Sequence, residues 1–249
     1  MTSLNSFGDH APKADWLRKF FEAPKLFLNG NELSNWQRRY FKKFLRDAGL
    51  LKKNIPTRLF TQLKDFGWDR ESALALILVN LVFSNIQVRW YIENLPLEKI
   101  LSRGEVETLL LSTGVTKKSA GSIIRSFRRL TETTLGTVLK FGQVTLNGRK
   151  LKTLTRTKTK VTDGRVILFA LYKLAENVSV YQFSLIRLLD EPLSPANIFG
   201  IRREELEQFL NGLSANFPEF IDATFTHDLE KITLKPERRS EEILILFED

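Results

Sequence analysis

The sequence predicts a mainly α-helical protein made of winged-helix and helix-turn-helix type modules with small β-hairpin wings. Apolar residues recur at helical spacing along most of the chain. Two such stretches, Ser102 to Leu110 and Thr116 to Leu130, are joined by a short turn containing Gly114, which is the pattern of a helix-turn-helix. Asn147-Gly148 then separates two strand-like runs, a strong hairpin signal because both central residues of a type I′ turn need positive φ. At 249 residues, 43% hydrophobic and 27% charged, the chain can form one to three domains with a buried core. Its punctuation divides it into a tail over 1–12, an N-terminal helical, winged-helix-like module over 13–66, a central helix-turn-helix with a basic wing over 67–162, and an acidic winged-helix-like module over 163–249.

Trp16, Leu17, Phe20 and Phe21 give an amphipathic helix over 13–22 that Pro24 stops. Ser34 and Gln37 form a capping box for a helix that runs to about Ala48 and ends at Gly49. On its wheel Trp36, Tyr40, Phe41, Phe44, Leu45 and Ala48 share the core side, while Arg38, Arg39, Lys42, Lys43 and Arg46 share the other. Helical periodicity resumes over 58–66, and Asp69 caps a helix over 70–83 that is apolar on nearly all sides and so belongs at the centre of the core. Trp90, Tyr91, Ile92 and Leu95 mark a short helix before Pro96.

Ser102 with Glu105 is a second capping box, and Thr116 caps the helix that follows. In that helix Ala120, Ile123, Ile124, Phe127 and Leu130 form the buried face, leaving Lys117, Lys118, Ser119, Ser122, Arg125 and Arg129 outward. Short polar side chains among cations suit a helix that reaches base edges while its ends hold phosphates. The wing would carry Arg149, Lys150 and Lys152, and its run-out Arg156, Lys158 and Lys160, against the phosphate backbone or minor groove. Asp163-Gly164 marks the next boundary. Amphipathic helices follow over 165–176 and 181–189, Ser194-Pro195 caps another, a longer helix spans 202–216, and 220–234 alternates as a second hairpin around Thr226-His227-Asp228. The finish, 243–247, is apolar enough to dock on a core.

The net charge of +9 hides a strong polarity. Residues 13–64 hold 13 basic and 4 acidic side chains, 65–112 hold 4 and 7, 113–165 hold 13 and 2, and 166–249 hold 8 and 15. Clustered Lys and Arg are what phosphate neutralisation requires. A cationic helix face is also an ordinary solvated surface, and for 34–48 the two readings carry equal weight.

Other chemistries find little footing. Cysteine is absent, which removes disulfides, thiol nucleophiles, iron–sulfur ligation and thiolate zinc sites. His10 and His227 lie far apart without partners at metal-ligand spacing, so neither a metal nor a cofactor is expected. Gly142 and Gly148 do not build a phosphate-cradling loop, and no acidic residue in nuclease context precedes Glu98-Lys99 or Glu230-Lys231, so no catalytic site is expected. The start has no basic and apolar leader pattern, and the apolar stretch Ala73 to Phe83 is short of the ~20 residues that span a bilayer. The expectation is a cytoplasmic protein without membrane contact.

Six stretches form a further pattern: Pro56-Thr57-Arg58-Leu59, Val88-Arg89-Trp90-Tyr91, Leu135-Gly136 through Phe141-Gly142, Tyr172-Lys173-Leu174-Ala175-Glu176, Ser194-Pro195 with Ile198-Phe199-Gly200, and Thr226-His227-Asp228-Leu229-Glu230-Lys231-Ile232. In that order they resemble an uncharacterised bacterial family found beside, or fused to the C-terminal side of, phosphoadenosine-phosphosulfate-reductase-like proteins in DNA-phosphorothioation and phage-defence islands. The resemblance covers about residues 50–249 and brings no catalytic signature. These residues include no reductase-like domain and no cysteine, so no sulfur-transfer residue is carried over. What it implies is a setting, that of a DNA-directed accessory subunit handing DNA to an enzyme encoded nearby.

The expectation is therefore a non-catalytic, double-stranded-DNA-binding subunit of a bacterial DNA-modification or anti-phage system. Contacts would come from the central helix, its wing and the face carrying Arg38, Arg39, Lys42 and Arg46. The acidic 163–249 module would hold a protein partner in a multi-subunit complex. The alternative is an assembly or adaptor subunit whose basic surfaces bind an acidic protein or RNA.

Overall fold

The computed structural model describes residue 4, residues 13–226 and residues 229–248. The tail predicted over 1–12 lies outside these except for Leu4, which packs against the core, and His227-Asp228 lie outside them as well. The described chain is mainly helical with three small antiparallel sheets.

In the N-terminal third, α1 (Ala14–Glu22) is followed at once by α2 (Pro24–Asn29). Pro24, expected only to stop the first helix, opens the second at a position where its missing N–H is not needed. α3 (Asn35–Asp47) begins on the predicted Ser34–Gln37 capping box. Its core side is narrower than the wheel: Tyr40 is half-buried, and Trp36, 47% exposed, leans on it with ring centroids 4.4 Å apart. A two-strand hairpin, β1 (Leu51–Lys52) and β2 (Ile55–Pro56), leads into α4 (Arg58–Phe66). α5 (Glu71–Ser84) is the central helix, with every residue from Ala73 to Val82 buried. Its N-cap is Arg70, and no side-chain cap is made, so Asp69 does not take the role predicted for it.

The central part runs α6 (Ile86–Asn94), β3 (Ile100–Ser102), α7 (Arg103–Leu111), α8 (Lys117–Glu132), α9 (Thr134–Leu139), β4 (Gly142–Asn147) and β5 (Lys150–Arg156). Both predicted caps are present: Ser102 exchanges hydrogen bonds with Glu105, and the Thr116 hydroxyl accepts from the Ser119 N–H at 3.3 Å. β3 pairs with β5, so the sheet order is β3-β5-β4. The hairpin turn is shifted by one residue from the sequence expectation. Asn147 pairs with Lys150, which leaves Gly148 and Arg149 as the central residues, and only Gly148 has positive φ, at 58°. Glycine at the first central position is the II′ rather than the I′ arrangement. The register slips between Thr145 and Leu146, and Lys152 is the unpaired residue of the resulting bulge.

The last third runs α10 (Gly164–Val178), β6 (Gln182–Phe183), α11 (Leu185–Asp190), α12 (Pro195–Phe199), α13 (Arg203–Asn216), β7 (Ile221–Thr226), β8 (Leu229–Leu234), α14 (Ser240–Ile243) and a 3-10 turn over Leu244–Phe247. The helix expected over 181–189 splits, because Gln182 and Phe183 pair with Thr233 and Ile232 of β8 before Ser184 caps α11. The sheet order is β6-β8-β7, the same first-third-second order as in the central part.

The buried side chains form one cluster from Trp16 to Phe247. The C-terminal turn docks on α4 as expected from its apolar character: Gln62 Nε2 donates to the Leu244 carbonyl at 2.9 Å, and the Phe66 and Phe247 rings meet edge-on at 5.5 Å. Among the described residues, no single helix is long and apolar enough to cross a membrane.

Candidate nucleic-acid interface

α8 has two faces by construction. Ala120, Ile123, Ile124, Phe127 and Leu130 are buried, with Phe127 stacked on Trp90 at 5.7 Å and set edge-on to Tyr91 at 5.2 Å. These contacts fix the rotation of the helix and turn Arg125 and Arg129, one turn apart, to the outside.

Opposite them stands the β4–β5 hairpin. Arg128 is the latch: its Nε reaches both Glu132 oxygens at 3.0 and 2.9 Å, and its Nη1 donates to the Arg149 carbonyl at 2.8 Å. The hairpin tip is thereby held beside the arginine row of α8. Between them lies a cleft of about 810 Å³ whose wall includes Arg125, Arg128, Arg129, Arg149 and Lys150, joined by Arg103 from the first turn of α7 and Lys13 from the start of α1. Among the described residues no carboxylate lines it. With cations at this density in a concave, partly desolvated site, local potential is focused and a polyanion is the matching ligand.

Sequence reasoning named Arg125, Arg129, Arg149 and Lys150, and the fold brings all four to this cleft. It missed Arg128, which was signalled by its place three residues after Arg125 and beside Arg129. It also missed Arg103 and Lys13, for which no local signal exists, since only tertiary packing carries them there. Lys117, Lys118 and Lys152 are exposed but do not line the cleft. Ser122 is half-buried, and Ser119 is engaged with the helix cap, its hydroxyl 3.1 Å from that of Thr116.

Several predicted contacts are corrected. Arg156 is 7% exposed; its guanidinium donates to the carbonyls of Ile92 at 2.6 Å, Leu95 at 3.2 Å and Asn197. It is an internal strut, not a wing residue. Burial holds its pKa below the ordinary arginine value, partly offset by Tyr91, and burial pushes the Tyr91 phenol up, partly offset by Arg156. Lys158 pairs with Glu205 of α13 at 2.5 Å, and Lys160 with Glu71 of α5 at 3.2 Å. The same stretch is stitched by backbone, Thr159 N–H to the Phe199 carbonyl at 2.8 Å and Lys160 N–H to the Leu139 carbonyl at 2.6 Å. Residues 156–160 are thus a strap joining the central and last thirds.

On α3, Arg38 is half-buried and donates to the Gly30 and Leu33 carbonyls, the latter at 3.1 Å, so it closes the end of α2 instead of facing phosphate. Lys43 pairs with Asp47 at 2.6 Å. Arg39 and Arg46 are exposed and Lys42 half-buried, and none of the three lines the α8 cleft. Among the described residues no group of three or more His, Asp or Glu side chains converges at metal-ligand spacing.

No protein-family model and no curated protein matches the chain. Solved structures do. A magnesium-ion-bound crystal structure of SspB superposes with a TM-score of 0.75 at 13% identity, over 98% of this chain and 87% of that one. The fold resembles that of SspB. A second SspB crystal structure gives 0.74 at 14% identity over the same shares. At such identities the likeness is one of fold, along nearly the whole length of the chain.

Proposed function

We propose that the chain binds double-stranded DNA in the cleft between α8 and the β4–β5 hairpin. It would serve as a non-catalytic accessory subunit of a bacterial DNA-modification or defence system. The observation that carries this reading is the convergence of seven cationic side chains on one cleft, Arg128 among them paired with Glu132, with no acidic residue in its wall among the described residues. The succession β3, α7, α8, β4, β5, with β3 against β5, supports treating this part as a winged helix with α9 inserted. In that reading α8 is the recognition helix and the hairpin its wing. The likeness of fold to SspB and the family resemblance of the sequence support the setting. The acidic last third, where Glu204 is exposed on α13, is the surface for a protein partner.

The deciding measurement is fluorescence anisotropy with labelled duplex DNA, the same single strand, and a hairpin RNA, each across a salt series and with or without magnesium. Duplex bound most tightly, with affinity falling steeply as salt rises, is the expected result. Tighter binding to RNA or single strand, or a flat salt response, overturns it.

A further inference from the structure

A separate cavity of about 520 Å³ shares no lining residue with the basic cleft. It lies where the β1–β2 hairpin, α5, α10 and the C-terminal turn meet. Asn80 lines it, the one polar side chain in the buried run of α5 and itself only 6% exposed. Its carboxamide makes no hydrogen bond among the described residues. A Cβ built on Gly49, another wall residue, would stand 3.0 Å from Asn80 Nδ2, which locates the amide at the cavity surface. The amide therefore turns its donor and acceptor to the cavity, where water or a ligand can meet them.

We propose that this cavity binds a nucleoside phosphate. Lys52, Lys53 and Lys173 stand at its rim and call for an anion; Arg58, also in the wall, is already paired with Glu248 at 3.2 Å. Ile55, 70% exposed, together with Leu59, Phe169 and Leu244 gives an apolar wall that an inorganic phosphate would leave uncovered. Asn80 offers one donor and one acceptor side by side, the pair that reads the edge of a base. Glu241, the single carboxylate in the wall among the described residues, suits ribose hydroxyls. The volume falls within the range of small-ligand sites. A purely apolar ligand would leave the lysines and Asn80 unused; a nucleoside phosphate uses every part of the wall.

The test is isothermal titration of the full chain with AMP, GMP, CMP and UMP, and with ribose 5-phosphate, adenosine and inorganic phosphate at matched ionic strength. At least one nucleotide should bind about tenfold or more tightly than ribose 5-phosphate. Asn80→Leu and Lys53→Glu should each weaken it about tenfold, with Asn80→Leu keeping or raising the melting midpoint. Nucleotides no tighter than ribose 5-phosphate, or binding unchanged in Lys53→Glu, an exposed turn residue that folding does not need, overturn the proposal. Arg125→Glu should leave nucleotide binding unchanged, so loss of DNA binding and loss of nucleotide binding are read separately.

Discussion

The central and last thirds of the chain share a plan and differ in sign. Each has a first strand laid against the third, sheet orders β3-β5-β4 and β6-β8-β7, and each places its longest post-strand helix directly or nearly directly before the hairpin. In the central third that helix, α8, shows Arg125 and Arg129 to a cleft whose described wall carries no carboxylate. In the last third α13 opens Arg203-Glu204-Glu205, and its one early cation is consumed, Arg203 pairing with Glu207 at 3.0 Å and with Glu230 of β8. One backbone plan therefore presents opposite potentials. The buried faces set the plan, and the outward residues, which the fold hardly constrains, set the sign of the surface charge.

The comparison breaks most readily at α8. Arg125→Glu with Arg129→Glu should cost duplex affinity roughly two to three orders of magnitude at low salt, whereas Glu204→Lys with Glu207→Lys on α13 should leave it within about threefold; equal effects in anisotropy titrations would dissolve the distinction. The strut comes next. Arg156→Leu leaves three buried carbonyls unmatched and should cost about 3 kcal/mol, lowering the melting midpoint by roughly 6–12 °C for a chain of this size, while the folded variant still binds DNA. A normal midpoint with weakened DNA binding would return Arg156 to the interface.

Counterion release sharpens the count of contacts. With Arg103, Arg125, Arg129, Arg149 and Lys150 neutralising four or five phosphates, log affinity against log salt should have a slope of roughly −4, and Lys150→Ala should flatten it by about 1. Lys158→Ala, by contrast, removes a half-exposed ion pair on the strap and should change the slope not at all and stability by less than about 1 kcal/mol. The smallest effects concern caps. α8 is capped by Thr116 and α13 has no side-chain cap at Arg202, so Thr116→Ala should cost about 1 kcal/mol while Arg202→Ser gains a few tenths; denaturant midpoints would show both.

Much of the architecture could be read from the residues alone, for local reasons. Capping boxes at Ser34 and Ser102, the Thr116 cap and the apolar run of α5 depend on neighbours within a turn or two of helix, and each is present. So are the two hairpins, read from Asn147-Gly148 between strand-like runs and from the alternation over 220–234. The readings that failed are those in which distant partners decide. Gln182-Phe183 leaves a helical pattern because β8 offers it a ladder. Arg156 looks like a wing cation until Asn197 arrives from about forty residues further on and its guanidinium is buried against carbonyls.

The sequence by itself determined the helical class, the caps, the hairpins and the segregation of charge into blocks, because these follow from spacing and composition. Only the tertiary structure decided which cations act together. A guanidinium is the same group whether it faces solvent, a carbonyl cage or a carboxylate, and its role is set by what packing brings within a few ångströms. Packing joined Lys13 and Arg103 to Arg125, Arg129, Arg149 and Lys150, withdrew Arg38 and Arg156 to backbone carbonyls, and paired Lys158 and Lys160 with carboxylates at the surface.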